Sequence, residues 1–117
     1  MYREFIVPDD QEILEAIGEW PETEEDGEAR CLTLQGEEQE CILLSYDALG
    51  RSVRVRWRNR EGKETLDIFR EGATRMSVHN GKGVTYLSLE FNVGESSGKM
   101  EIQVFPHFTL RDQLLMV

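Results

Sequence analysis

Three glycine-rich or acidic stretches match the outlines of known chemical motifs. Gly94–Gly98 fits the G-x-S-x-G pattern of the hydrolase nucleophile elbow, in which a strand-to-helix turn exposes the serine beside an oxyanion hole. The flanking segments are both typical of strands, and the chain is too short for the fold that carries the elbow. We therefore interpret Gly94–Gly98 as a hairpin turn. The Asn-Gly-Lys-Gly of residues 80–83 is also interpreted as a turn, since no Walker pattern precedes it.

An acidic stretch in the first half resembles a calcium-binding loop. Glu22–Gly27 places oxygen ligands at alternate positions and a glycine at the sixth. The twelfth position of such a loop is a bidentate glutamate, and here it is Thr33. The sequence therefore predicts no calcium site of this kind, and no cofactor or other metal is predicted either.

Two histidines and one tyrosine are the remaining candidates for acid–base chemistry. His79 and His107 lie on different segments, and no carboxylate, cysteine or serine is tied to either by spacing. Catalytic groups converge in space rather than in sequence. A small enzyme or ligand-binding barrel that uses His79, His107 or Tyr86 therefore stays an alternative, although a protein without catalytic activity is favoured.

Three arginines form a stripe on one predicted strand. Arg54, Arg56 and Arg58 project from one face, while Val53, Val55 and Trp57 project from the other. Such a stripe could bind phosphates. The net charge of −10 opposes nucleic-acid binding, so we expect a solvated face whose arginines pair with nearby carboxylates, Arg56 with Asp67 first.

The two cysteines are predicted to be unbridged. With residues 36–39 as a hairpin turn, Cys31 faces Leu44 and Cys41 lies three residues away, about 10 Å along the strand. A disulfide needs Cα atoms within about 7 Å. Free thiols are typical of a reducing compartment, and we see neither a signal peptide nor an apolar run long enough to span a bilayer, so the cytoplasm is expected.

The elements that would position these residues are mostly strands. Residues 2–7 are apolar and β-prone, and Asp9 or Asp10 is a suitable N-cap for a short helix that ends near Gly18. Residues 19–28 are predicted as a loop. Short β-rich runs between glycine-containing turns follow, namely 30–35, 40–46, 52–58, 64–70, 74–79, 84–93 and 98–105.

This pattern predicts the fold class α+β, mostly β: an antiparallel meander sheet, curved or partly closed, with one short N-terminal helix, in a single domain over residues 1–117. Two hairpin registers put apolar pairs on one face. In one, Trp57 faces Leu66; in the other, a turn over residues 94–97 places Phe91 opposite Met100. Residues 109–117 form either one or two helical turns or an extended tail.

The charge of the chain is divided unevenly between its halves. Residues 1–50 have 2 basic and 15 acidic side chains, a balance of 2 − 15 = −13, whereas residues 51–117 have 11 basic and 8 acidic, a balance of +3. Charge complementarity steers a basic protein toward an acidic surface, and tryptophan is a frequent anchor at interfaces. A merely solvating loop is the alternative. The predicted partner-binding residues are Glu19, Trp20, Glu22, Glu24, Glu25, Asp26, Glu28, Glu37 and Glu38.

These observations favour a non-catalytic protein-binding module that binds and neutralises a basic protein partner, with no membrane partner. In general character (small, acidic, one domain, no catalytic motif) the chain resembles bacterial immunity proteins, which occlude cationic nuclease toxins. The likeness rests on composition. A structural or assembly subunit is the other alternative, docking through apolar residues near Phe105, Phe108 and 114–117.

Overall fold

The computed structural model describes residues 4–24 and 29–116. In these ranges it has one α-helix and nine strands, with a short 3-10 turn at Glu37–Gln39. The elements are α1 (Asp10–Ile17), β1 (Glu22–Thr23), β2 (Arg30–Gln35), β3 (Cys41–Asp47), β4 (Ser52–Arg58), β5 (Glu64–Glu71), β6 (Ala73–Gly81), β7 (Val84–Val93), β8 (Ser96–Phe105) and β9 (Thr109–Met116).

Helix α1 begins and ends at the residues that its sequence predicts. The Asp9 side chain accepts a hydrogen bond from the backbone N–H of Glu12 at 2.8 Å, which satisfies one of the free amides at the start of the helix. Gly18 adopts the left-handed conformation, with φ of 88°, and donates its N–H to the carbonyl of Leu14. Ile13 is completely buried and fixes the helix to the core.

The strands form two antiparallel sheets, which confirms the predicted fold class. One sheet has the order β1-β2-β3-β4-β5 and the other β6-β7-β8-β9. Gly72 alone connects them. Its φ is 85°, and a Cβ atom there would lie 2.4 Å from the Cγ2 atom of Val93, so this crossing requires glycine.

Inward-facing side chains of both sheets and of α1 form one hydrophobic cluster. In β3 every second residue is buried, starting at Ile42, as expected for a strand with one face on the core. Phe108, in the connection between β8 and β9, extends the cluster and makes an edge-to-face contact with Trp57 at 5.8 Å between ring centroids. The sheet residues buried in the cluster are Leu32, Leu34, Ile42, Leu44, Tyr46, Val53, Val55, Ala73, Met76, Leu87, Leu89, Phe91, Met100 and Ile102.

The predicted register of β4 and β5 is confirmed. Trp57 lies opposite Leu66, and Val55 opposite Ile68. The Trp57 ring is half-buried, and its Nε1 donates a hydrogen bond to Glu40 at 2.9 Å. Apolar alternation on both strands, joined by a short turn, was enough to specify this pairing.

The predicted register of β7 and β8 is wrong by two residues. Phe91 lies opposite Gly98 rather than Met100, and Met100 lies opposite Leu89. The turn contains two residues instead of four, because Val93 and Ser96 still pair. A shift of two keeps every side chain on its face, so the alternation of apolar residues could not detect the error.

The β2–β3 hairpin also differs slightly from the prediction. Its connection is one residue longer, so Gln35 pairs with Cys41 and Cys31 pairs with Ser45. Cys41 is four positions from Ser45, about 14 Å along the strand. Both cysteines are free, as predicted.

Described residues near both termini join the four-stranded sheet. Ile6, in the β-prone N-terminal segment, forms a parallel bridge to Arg75 of β6. Residues Thr109–Met116 form β9 and pair with β8 along their whole length. The extended alternative is therefore correct for these residues, and the helical one is wrong, because hydrogen bonding to β8 outweighs the weak capping pattern at Thr109.

Candidate partner-binding surface

The loop predicted over residues 19–28 contains, in its described part, a short strand at one edge of the five-stranded sheet. Glu22 and Thr23 form β1 and pair with Cys31 and Arg30 of β2. Glu24 continues past the strand and accepts a hydrogen bond from the hydroxyl of Ser45 at 2.8 Å. These bonds hold Glu22 and Glu24 at defined positions on the surface, where both are exposed.

Arg30 joins this segment to helix α1. Its guanidinium forms an ion pair with Asp10 and donates hydrogen bonds to the Pro21 carbonyl at 3.3 Å and to the Thr23 hydroxyl at 3.1 Å. A planar group with five donors suits such multiple attachment. The helix and the strand are therefore held together by one side chain.

Trp20 lies on this surface beside a buried anchor. Its side chain is 52% exposed, whereas the next residue, Pro21, is fully buried. A large apolar ring presented from a fixed backbone position loses little conformational entropy when it is covered. Glu19, which precedes it, is half-buried.

Helix α1 adds carboxylates that the predicted set omitted. Asp9, Glu12 and Glu15 are exposed, and the helix is only a few residues before Trp20 in the chain. The charge count over residues 1–50 included these carboxylates, but the predicted partner-binding set was drawn only from segments with few apolar residues and so left out α1. We define the acidic surface as Asp9, Glu12, Glu15, Glu19, Trp20, Glu22 and Glu24.

Glu37 and Glu38 lie apart from the acidic surface. Both are in the β2–β3 connection, after the end of β2 that is farther from β1, about 20 Å from Arg30 at the usual rise per residue. Glu38 forms an ion pair with Arg60 at 2.8 Å. Glu40, in the same connection, accepts the hydrogen bond of Trp57. The predicted residues thus form two groups, and the second is partly neutralised.

Part of the predicted set lies outside the described residues. Glu25, Asp26 and Glu28 belong to residues 25–28, as do the last positions of the calcium-like stretch. Within the described ranges no group of three or more histidine, cysteine or carboxylate side chains is arranged to hold a metal ion. No helix in the described part of the chain is long and apolar enough to cross a membrane.

The arginine stripe lies on the outward face of β4, and its pairing differs from the expectation. Arg54, rather than Arg56, forms a bidentate ion pair with Asp67, at 3.0 and 2.7 Å. This hydrogen bonding holds the pKa of the Asp67 carboxyl below its ordinary value. Arg56 is directly opposite Asp67 in the sheet. Arg54 nevertheless reaches the carboxylate from a diagonal position, with its Nε and Nη2 atoms. The Nε atom of Arg56 is buried without a hydrogen-bond partner among the described residues.

One of the two histidines, His107, lines a shallow depression on the outer side of the four-stranded sheet. His79 stacks on Tyr86 with ring centroids 4.6 Å apart. The depression, of about 600 Å³, is lined by Tyr86, Gln103, His107 and Arg111 among others. The Gln103 amide donates to the backbone carbonyl of His107, so the contact fixes the loop rather than the imidazole. Residues 94–95 form the turn between β7 and β8, and residues 96–98 begin β8. The stretch thus belongs to a hairpin, as predicted, although the turn is two residues shorter than predicted.

Comparison with solved structures gives a strong match in fold. The chain resembles a chain of the contact-dependent growth inhibition toxin–immunity protein complex from Klebsiella pneumoniae 342, with a TM-score of 0.83. The match covers 98% of this chain and 100% of that chain, at 19% sequence identity. No family model and no curated protein matches the sequence. At this identity the likeness shows the fold.

Proposed function

We propose that this protein is an inhibitor of the immunity-protein type, which binds a basic toxin domain and blocks it. The observation that carries the proposal is the whole-length match to a chain of a toxin–immunity protein complex. The net charge of −10 supports the role of the immunity protein rather than that of the toxin, because a strongly acidic protein favours binding to a cationic one. Free cysteines support a cytoplasmic site of action.

The acidic surface is the proposed contact. Its carboxylates lie on α1 and β1 or next to them in the chain, and Arg30 holds these two elements in fixed relation. A pre-organised charged surface attracts an oppositely charged protein before contact and raises the association rate. Trp20 supplies an exposed ring that the partner can bury. In this scheme the glutamates govern the association rate and Trp20 governs the dissociation rate.

The test is a binding measurement against a basic toxin domain, taken from the neighbouring reading frame where that frame encodes one, over a salt series. We expect the association rate to fall steeply as salt rises, because exposed charges are screened beyond about 8 Å at physiological ionic strength. Glu22→Lys/Glu24→Lys should lower the association rate. Trp20→Ala should weaken binding by about 2 kcal/mol, or roughly 30-fold, through faster dissociation.

A matched control removes the effect of net charge alone. Glu61→Lys/Glu95→Lys changes the charge by the same amount at two exposed turns, in the β4–β5 and β7–β8 hairpins. We expect this control to bind nearly as the unchanged protein does. If both double variants slow association equally, or Trp20→Ala binds normally, the contact lies elsewhere on the molecule. If no variant and no salt concentration affects an existing interaction, the electrostatic proposal is wrong.

A further inference from the structure

Strand β9 forms a long and regular edge of the four-stranded sheet. It pairs with β8 from Gln103↔Thr109 to Ser96↔Met116 without a register shift. In the described residues no strand lies on its other side. Every residue from Arg111 to Met116 is exposed. The backbone groups that point away from β8 therefore face solvent.

The other strand edges of the molecule are protected in ways that β9 is not. Strand β1 has only two residues. Strand β6 bonds to Ile6, which donates to Thr74 and accepts from Met76. Strand β5 has a register irregularity opposite Trp57 and Arg58 and carries charges along its length. Short length, covering, bulges and charge are the usual means by which proteins prevent edge pairing.

The end of β9 carries exposed apolar side chains on both faces. Leu114 is 64% exposed, Leu115 is 61% exposed and Met116 is 80% exposed. Val93, on the neighbouring hairpin, is also mostly exposed. Water contacts these side chains in the isolated chain, and a strand paired to β9 would cover them on both faces of the sheet.

The charge pattern of β9 fits a second copy of the same strand. Two-fold antiparallel pairing centred on Gln113 places Arg111 opposite Leu115 of the copy and Leu110 opposite Met116. No like charges face each other in this register, and Asp112 is already paired with Arg70 at 2.5 Å. The strand carries one positive and one negative side chain, so it offers a cationic partner no excess of negative charge.

We propose that two copies of this protein associate through β9 to form a two-fold dimer with a continuous eight-stranded sheet. Such an interface uses the same surface on both copies. The acidic carboxylates of α1 lie at the β6 side of this sheet, since α1 packs against β6 and β7. Strands β7 and β8 separate that side from β9, so the strongly charged parts of the copies do not meet. The inference is independent of the proposed toxin partner.

The test is sedimentation of the full chain over a concentration series in the micromolar range. The mass should rise from that of one 13.5 kDa chain to that of two. Leu115→Lys would place a positive charge opposite Arg111 of the second copy, whereas Leu115→Glu would place a negative charge there. Both variants lose the same apolar side chain, so their difference isolates the cross-strand charge pair. Two such pairs occur per dimer, and we expect the dissociation constant of the lysine variant to exceed that of the glutamate variant by at least about tenfold.

Leu49→Lys is the matched control, because Leu49 is 74% exposed in the β3–β4 turn, which belongs to the five-stranded sheet and not to the β9 edge. This control should dimerise as the unchanged protein does, and circular dichroism should show that all three variants are folded. A protein that stays monomeric at every concentration would overturn the proposal. It would be overturned in the same way if β9 pairs only with a strand of another protein. Equal dissociation constants for the Leu115→Lys and Leu115→Glu variants would also overturn it.

Discussion

The two edges of the four-stranded sheet differ in what the chain itself supplies to them. At the β6 edge, Ile6 forms hydrogen bonds of 2.9 and 2.8 Å with Thr74 and Met76, and α1 packs alongside. At the β9 edge the described residues supply no further strand. A sheet edge that is covered contributes to the stability of the monomer, and one that is left open is available for association.

An arginine–aspartate ion pair lies near each of these two edges of the four-stranded sheet. The two arginines belong to one row of cross-strand neighbours in the five-stranded sheet. Along this inward-facing row Arg30 lies opposite Tyr46, Tyr46 opposite Val53, and Val53 opposite Arg70. Arg30 reaches Asp10 of α1, and Arg70 reaches Asp112 of β9. The same residue type thus connects this row to the covered side at one end and to the open side at the other.

The largest expected effect comes from emptying the contact between α1 and the core. Ile13→Ala should lower the free energy of unfolding by about 2–5 kcal/mol, since Ile13 is completely buried and its loss leaves a cavity. Leu14→Ala is the control, because Leu14 is 37% exposed; it should cost less than about 1 kcal/mol. Urea denaturation measures both. Equal losses of unfolding free energy for the two variants would show that the buried contact of Ile13 does not stabilise the packing of α1 at the β6 edge.

The Arg30–Asp10 and Arg70–Asp112 ion pairs should contribute comparable amounts to the free energy of unfolding. Arg30→Met and Arg70→Met should each lower the free energy of unfolding by about 1–3 kcal/mol, because each leaves a partly buried carboxylate without its donor. The Arg70 guanidinium also lies 5.3 Å from the centre of the Phe91 ring, a contact that methionine partly retains.

Hydrogen exchange distinguishes the two variants. Arg30→Met should speed exchange in β1, and Arg70→Met should speed exchange in β9, each with little effect on the other strand. Faster exchange in both β1 and β9 from either substitution would contradict this prediction. It would mean that the two ion pairs are coupled through the row of residues between Arg30 and Arg70.

A pH titration probes the covered side without removing an ion pair. Burial raises the pKa of Tyr46 above its ordinary value of 10.0, although Arg30 partly opposes the shift. A raised pKa means that the folded protein holds the proton more tightly than the unfolded chain does. The resulting stability is fully present below pH 10 and is lost as the pH rises through the folded-state pKa.

The matching variant is Tyr46→Phe, which cannot ionise at this position. Thermal unfolding measured from neutral pH to above pH 10 should show a steeper loss of stability for the unchanged protein than for Tyr46→Phe. Parallel curves would mean that the Tyr46 hydroxyl is not desolvated in the folded state.

The smallest expected effect is at the open edge. Leu115→Thr should change the free energy of unfolding of the dilute protein by less than about 0.5 kcal/mol, because Leu115 is 61% exposed. Urea denaturation at low protein concentration measures it. A loss comparable with that of Ile13→Ala would show that the end of β9 is packed within the monomer and is not free to associate.

The sequence by itself determined the helix, most of the strands and the inward face of each strand that it predicted. These features depend on residues that are close in the chain. Asp9 and Gly18 specify the ends of α1, and alternation at every second residue specifies which side of β3 or β4 is buried. The sequence also predicted Glu19, Trp20, Glu22 and Glu24 as partner-binding residues, from the uneven distribution of charge, and this stays a prediction.

Tertiary structure decided the features that depend on distant residues. It placed Gly98 rather than Met100 opposite Phe91, since an even shift of register leaves the apolar alternation unchanged. It paired Arg30 with Asp10 and Arg70 with Asp112, residues that are 20 and 42 positions apart. It also decided that Glu22 and Thr23 form a strand, that residues 109–116 pair beside β8 as a further strand, and that among the described residues β6 is covered while β9 is open. Each of these outcomes depends on which segments meet in space, and no local pattern of residue types encodes that.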